Sequence, residues 1–97
     1  MNVDVKALHF SLKDEEREYL DKKLTRIKSA EPLIVDLIIS LSHEGATFTA
    51  EATVNFKWGV QAHVKEDAYD LQPAVDKMMD KLESKITKEK EKNQEKR

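Results

Sequence analysis

Lysines in the last third of the chain have a spacing suited to binding a polyanion. If residues 70–97 form a helix, with about 100° between successive residues, five lysines share about 80° of its circumference. Like charges at successive i+4 steps repel, so such a row weakens its own helix unless an external anion compensates. The alternative interpretation is an ordinary solvated face. We call this row the lysine ridge: Lys77, Lys81, Lys85, Lys88 and Lys92.

The same helix has two further surfaces, one acidic and one apolar. The apolar residues recur at i, i+3 and i+4, which predicts burial of that side. Asp76 and Asp80 share a face, but no Gly-rich phosphate loop or neighbouring histidine accompanies them. Solvated or lysine-paired acids are therefore favoured over acid/base catalysis. The acidic flank, about opposite the ridge, is Asp76, Asp80, Glu83 and Glu91. The apolar stripe is Leu71, Val75, Met78, Met79, Leu82 and Ile86.

Histidine and aromatic residues form no catalytic or metal-binding pattern. His9, His43 and His63 are scattered singly without an i+4 partner, and the chain has no cysteine. The sequence therefore predicts no metal, no cofactor and no enzymatic activity. His63 is expected as a surface residue of a strand. Trp58, beside a glycine at an exposed turn, could stack on a base, but packing of the turn is the favoured role.

The charge balance conceals an asymmetry. The net charge is −2 and the pI is about 5.9. Residues 1–76 carry nine Lys/Arg and fourteen Asp/Glu, a balance of −5, whereas residues 77–97 carry eight and five, a balance of +3. Nucleic-acid binding would thus have to depend on a local surface rather than on the average charge.

Composition predicts one soluble domain, with 39% apolar and 37% charged residues among 97. No apolar run approaches the roughly 20 residues of a membrane span, and the first residues lack the features of a secretory signal. The absence of cysteine fits a reducing compartment. We therefore expect a cytoplasmic protein.

Hydrophobic periodicity predicts the order strand, helix, three strands, helix. Val3, Val5 and Ala7 alternate with polar residues, and Ser11 with Asp14 resembles the capping box of a first helix. In the second strand, residues 33–42, alternation places Val35 on the same face as Leu37, Ile39 and Leu41, with Ile34 and Ile38 on the other. Asp70 is the expected N-cap of the last helix. Two amphipathic helices need one sheet face to cover, so an α+β fold follows.

The last helix resembles that of a known family in three short motifs. Residues 70–76 read Asp-Leu-Gln-Pro-Ala-Val-Asp where the family has Asp-Met-Tyr-Ala-Ala-Ile-Asp. Residues 80–82 match its Asp-Lys-Leu, and residues 88–90 match its Lys-x-Lys. The family is that of the short ribosome hibernation promoting factors, which includes protein Y and is also labelled sigma-54 modulation protein. Two departures are Gln72 in place of Tyr and Ser84 in place of Arg.

The resemblance covers essentially the whole chain and implies both fold and function. The implied fold is β-α-β-β-β-α, a four-stranded sheet with two helices on one face, similar to double-stranded-RNA-binding domains. Residues 1–90 would form this domain and residues 91–97 a charged, disordered tail. Such proteins occupy the mRNA and tRNA channel of the small ribosomal subunit during stress or stationary phase. They inhibit translation sterically, without reaction or cofactor.

The resemblance also implies partners and contact residues. The expected partners are the small ribosomal subunit and its rRNA, with a second hibernation factor as an open question, and neither a membrane nor a small-molecule substrate. The alternative function is a non-RNA protein-interaction module on the same fold, which the acidic balance and Ser84 would permit. The expected rRNA-binding residues are Lys22, Lys23, Arg26, Lys77, Lys81, Lys85, Lys88, Lys90 and Lys92.

Overall fold

The computed structural model, which describes residues 1–95, has four strands and two helices in the predicted order. A 3-10 segment, Thr25–Leu33, joins the first helix to the second strand. The order β-α-β-β-β-α expected from the sequence is therefore confirmed. The elements are β1 (Asn2–Leu8), α1 (Asp14–Leu24), β2 (Ile34–Glu44), β3 (Thr47–Phe56), β4 (Gln61–Ala68) and α2 (Leu71–Glu95).

The strands form one mixed sheet in the order β1-β2-β3-β4. β1 pairs parallel to β2, and the other neighbours are antiparallel. Both helices cover one face, where Leu20 of α1 and the whole apolar stripe of α2 pack in a single core with Leu37 and Ile39 of β2. Every residue of the stripe is at most 8% exposed. The core therefore fixes which side of α2 faces solvent, and the lysine ridge lies outside it.

A β-bulge at the start of β2 changes which residues face the core. Ile34 pairs with Phe56, and Asp36 pairs with the adjacent Asn55, so Val35 is an extra residue in β2. Ile34 is consequently buried at 1% exposure, while Val35 is 45% exposed. The predicted grouping of Val35 with Leu37, Ile39 and Leu41 was wrong, because the inserted residue inverts the alternation and Ile34 is buried with them instead.

The start of α1 also differs from the prediction. The helix begins at Asp14, after Lys13 rather than after Ser11. The Glu16 carboxylate accepts a hydrogen bond from the Lys13 backbone N–H at 2.9 Å, and Arg17 N–H donates to the Lys13 carbonyl at 2.9 Å. Glu16 thus caps the N-terminus of α1. The N-cap residue is therefore Lys13, two residues later than the expected Ser11.

The last helix begins where the sequence predicts and extends further than predicted. Ala74 N–H donates to the Asp70 carbonyl at 3.3 Å, which agrees with Asp70 as the N-cap. Residues 91–95 are helical, although the sequence predicts a disordered tail over 91–97; residues 96 and 97 lie outside the described part. The domain boundary at residue 90 stays a prediction. Within residues 1–95, no helix combines the length and apolar character that crossing a membrane requires.

Candidate nucleic-acid interface

The lysine ridge runs along the side of α2 next to the edge strand β4. Lys81 forms an ion pair with Glu66 of β4. One turn earlier, the Lys77 Nζ donates to the backbone carbonyl of Asp67 at 3.4 Å. Both contacts orient the N-terminal half of the ridge, but only the Glu66 carboxylate, whose side chain is 19% exposed, offsets a charge, that of Lys81.

The middle of the ridge has cations without internal partners. Among the side chains described, residues 1–93, no carboxylate lies within 4 Å of the Nζ of Lys85 or Lys88. Both side chains are exposed. Lys92, at the far end, lies 3.7 Å from Glu89. Lys85 and Lys88 are therefore lysines of the ridge whose charge no described carboxylate offsets.

Three residues of the acidic flank, Asp76, Asp80 and Glu83, form ion pairs with α1 and with the 3-10 segment that follows it. Arg26 contacts two acids at once: its Nη2 lies 2.9 Å from Asp80, and its Nε pairs with Glu83. Lys23 Nζ lies 3.4 Å from Asp76. The sequence left Asp76 and Asp80 as solvated or lysine-paired acids; Asp76 pairs with a lysine, whereas Asp80 pairs with Arg26. We call this set the interhelix clamp: Tyr19, Lys23, Arg26, Asp76, Asp80 and Glu83.

One end of the interhelix clamp is a three-residue cluster. The Tyr19 hydroxyl donates to Asp76, and the Lys23 ammonium lies 5.4 Å from the Tyr19 ring centroid. The hydrogen bond to Asp76, assisted by burial and the carboxylate charge, raises the pKa of Tyr19 above its ordinary 10.0. The hydrogen bond to Asp76 likewise raises the pKa of Lys23, and hydrogen bonds to Glu83 and Asp80 raise that of Arg26.

The raised pKa of Tyr19 leads to a titration prediction. In a Tyr69→Phe background, Tyr19 is the only tyrosine, and its phenolate absorbance should appear with a midpoint above 10.0. Because the folded pKa exceeds the unfolded one, this contribution to stability is complete below pH 10 and is lost as pH rises through the folded pKa. Asp76→Ala should lower the midpoint, and an unchanged midpoint would contradict the Tyr19–Asp76 contact.

The eight lysines and one arginine predicted to bind rRNA fall into three groups. Lys77, Lys81, Lys85, Lys88 and Lys92 lie on the ridge. Lys23 and Arg26 are engaged in the interhelix clamp. Lys22 is exposed late in α1, while Lys90 is exposed and lines a small groove beside Arg26. The structure thus separates cations that are available from cations whose charge is already balanced.

The two helices meet in a shallow groove that the sequence could not foresee. Arg26 on the 3-10 segment and Lys88 on α2 line the same depression, of about 390 Å³, together with Asp80 and Glu83. Positive charge from both helices is therefore adjacent here. The acids between them balance Arg26 and leave Lys88 as the cation without a partner.

The remaining candidates of the sequence occupy ordinary structural positions. Trp58 stacks on Phe56 with 4.9 Å between ring centroids, as expected for packing of the turn. His63 is a half-exposed strand residue whose Nδ1 lies 2.9 Å from the Thr53 hydroxyl. His43 stacks on Phe48 at 4.1 Å. None of these contacts brings a histidine toward the lysine ridge.

Tyr69 is a surface feature that the sequence reasoning missed. It is 82% exposed and follows the last residue of β4. It lines a depression of about 560 Å³ together with Thr47, Pro73 and Lys77. An exposed aromatic ring beside the first lysine of the ridge can stack on a base. The only signal in the sequence was an aromatic residue directly before the N-cap Asp70.

Comparison with known proteins decides the family. Residues 3–94 match the family described as sigma 54 modulation protein / S30EA ribosomal protein. The chain belongs to this family. The resemblance found in the last helix is therefore confirmed over nearly the full length. The family match spans β1 through most of α2, including all nine predicted contact residues.

Two kinds of relative within the S30EA family support the assignment. A ribosome hibernation promoting factor of Pseudomonas putida is 30% identical over 95 residues, which are 97% of this chain and 91% of the relative. The structure of the Protein Y N-terminal domain of Thermus thermophilus has a TM-score of 0.78 at 28% identity, covering 91% of this chain and 98% of that one.

A third comparison supports the fold alone. A ribosomal subunit interface protein from Coxiella burnetii superposes with a TM-score of 0.84 at 24% identity, covering 93% of this chain and 98% of the other. The β-α-β-β-β-α arrangement is therefore the fold of these structures.

Proposed function

We propose that this protein is a ribosome hibernation factor that binds the small ribosomal subunit and occupies its mRNA and tRNA channel. Two observations together support the proposal. The chain is similar over nearly its full length to proteins named ribosome hibernation promoting factor, and its lysine ridge is exposed on α2. The inhibition is steric and operates under stress or stationary phase, without a chemical reaction. The partner surface is the phosphate backbone of folded rRNA.

The charge distribution explains how a protein of net charge −2 can bind RNA. The interhelix clamp balances three of the acids on α2 with Lys23 and Arg26. Lys85 and Lys88 are exposed, and among the side chains of residues 1–93 neither has a carboxylate within 4 Å, so a phosphate near either lysine meets an uncompensated cation. Lysine contacts to phosphate position a protein on RNA without reading its sequence. Recognition would then follow the shape of the subunit.

The nine contact residues carry unequal weight in this proposal. Lys85 and Lys88 contribute most, with Lys77, Lys81 and Lys92 beside them on the ridge. Lys22 and Lys90 contribute from adjacent surfaces. Lys23 and Arg26 contribute after exchanging a carboxylate for a phosphate, which adds the cost of breaking an existing pair. Tyr69 adds base stacking at the start of the ridge.

Co-sedimentation with purified small subunits across a salt series tests the proposal. Displacement of counterions predicts that log affinity falls with log salt by a slope of about 0.7 to 0.9 per neutralised phosphate. Three to five ridge contacts therefore predict a steep salt dependence. If the folded protein fails to co-sediment even at low salt, the proposed function is wrong.

The alternative is a protein-interaction module that retains the fold without RNA binding. The observation favouring it is that several predicted contacts, Lys23, Arg26 and Lys81 among them, are already paired with acids. The same sedimentation experiment separates the two functions. A protein-binding module would remain in the supernatant at every salt concentration, whereas a ribosome-binding factor would pellet at low salt.

A further inference from the structure

We propose that the β1 edge is a homodimer interface, in which two copies pair β1 with β1 antiparallel and extend the sheet to eight strands. Within residues 1–95, β1 has a strand neighbour on one side only, β2, so its other side presents backbone donors and acceptors that no described strand pairs with. An exposed edge of this kind pairs readily with another strand, and a second copy of the chain is the occupant that the side chains of β1 fit.

The charges of β1 are self-complementary in one register. Asp4 and Lys6 flank Val5 and lie on the same, polar face of the sheet, opposite Ile38 and Ser40 of β2. With Val5 on a two-fold axis, Asp4 lies directly opposite Lys6 of the partner subunit, and the pair occurs twice. Opposite charges directly across an antiparallel pair are stabilising.

Neighbouring registers bring like charges together. If the polar faces of the two copies are to lie on the same side of the joined sheet, one strand can shift along the other only by two residues at a time. One such step places Asp4 opposite its own copy, and the opposite step does the same for Lys6. Both arrangements are repulsive. The sequence of this strand therefore specifies the register centred on Val5.

Apolar exposure is concentrated at the same edge. Six large hydrophobic side chains are notably exposed among the described residues, and three of them are Met1 at 37%, Val3 at 40% and Leu8 at 47%. In the proposed register, Val3 lies opposite Ala7 of the partner subunit. Met1 and Val3 also line a surface depression of about 300 Å³ with Leu24 of α1. Pairing would cover part of this surface.

The proposed dimer leaves the lysine ridge accessible. β1 and β4 are opposite edges of the sheet, and the ridge contacts β4 through Glu66 and Asp67. Association through β1 therefore does not depend on RNA binding. The dimer is a property independent of the proposed function, and each can be tested without the other.

Sedimentation equilibrium on charge variants tests the register. The wild-type chain should show a monomer–dimer equilibrium between about 10 μM and about 1 mM, the range expected for a small interface. Asp4→Lys and Lys6→Asp should each weaken association at least about tenfold, because every cross-strand pair becomes repulsive. The double swap, and an equal mixture of the two single variants, should restore it. A monomeric wild type, or single variants that associate as the wild type does, would overturn the proposal.

A cross-linking experiment tests whether Val5 lies on the two-fold axis of the proposed dimer. The chain has no cysteine, so Val5→Cys introduces a unique thiol. Opposite Cα atoms in an antiparallel pair lie about 4.5 to 5.5 Å apart, which a disulfide can span. Mild oxidation should yield covalent dimer much faster for Val5→Cys than for Ser40→Cys on the polar sheet face. Equal rates would contradict the proposed axis.

Discussion

Replacement of Lys81, Lys85 and Lys88 together by glutamate is expected to abolish binding to the small ribosomal subunit. Lys85 and Lys88 have no carboxylate partner among the side chains of residues 1–93, and Lys81 is held beside them by Glu66. The change removes three phosphate contacts and adds repulsion, so we expect affinity to fall at least about 100-fold at moderate salt. Co-sedimentation and inhibition of in vitro translation measure the loss, and circular dichroism verifies that the variant is folded.

The matched control places the same charge change elsewhere. Lys13, Lys28 and Lys57 are exposed lysines outside the ridge and outside the predicted contact set. Their replacement by glutamate makes the protein equally acidic, yet it should weaken binding far less. A similar loss from both triple variants would mean that total charge, and not the ridge, governs association.

Replacement of Leu82 by alanine is expected to lower the free energy of unfolding by about 2–5 kcal/mol, the cost of a cavity at a buried leucine. Leu82 is 1% exposed and lies in the part of α2 that seats the ridge on the sheet. Because domains of this size have total stabilities of about 5–15 kcal/mol, this is a large fraction. Urea denaturation followed by circular dichroism measures the change.

An exposed position on the same helix provides the control for Leu82. Ser84 lies two residues further on and is exposed, so Ser84→Ala should change stability by less than about 0.5 kcal/mol. If Leu82→Ala proves equally mild, α2 does not depend on its apolar stripe. The ridge would then lack the rigid support on which the proposed interface is built.

Local periodicity predicted the seating of α2 well, because burial of an amphipathic helix follows from its own residues. Leu71, Met78 and Ile86 all recur on one side, and all are buried. β3 follows the same rule, since Ala50, Ala52 and Val54 alternate with polar residues and are fully buried. In these elements a single periodic signal determines which side faces the core.

The errors in β2 arose where pairing with a neighbour overrides local alternation. Val35 sits in a bulge defined by the register against Phe56 and Asn55, which belong to another strand. Alternation within residues 33–42 contains no sign of it. The start of α1 was likewise misplaced because the Glu16 carboxylate caps Lys13, an arrangement that competed with the equally plausible Ser11 signal.

The sequence predicted which basic residues belong to the candidate site, but not which of them form ion pairs with acids. The sequence identified the lysine ridge of α2, and the family resemblance added Lys22, Lys23 and Arg26. It could not show that Arg26 reaches Asp80 and Glu83 across the helix pair, since that contact depends on tertiary packing. The structure therefore narrows the proposed RNA surface from nine cations to a ridge centred on Lys85 and Lys88.

The most direct test of the ridge as the rRNA interface is directed hydroxyl-radical probing from a tethered iron chelate. Ser84→Cys places the only thiol of the chain next to the ridge without altering a lysine, and Ser40→Cys places one on the opposite sheet face. In complexes with the small subunit, we predict strong rRNA cleavage along the mRNA and tRNA channel from position 84 and weak cleavage from position 40. Stronger cleavage from position 40, or cleavage from position 84 confined to rRNA outside the channel, would contradict the account.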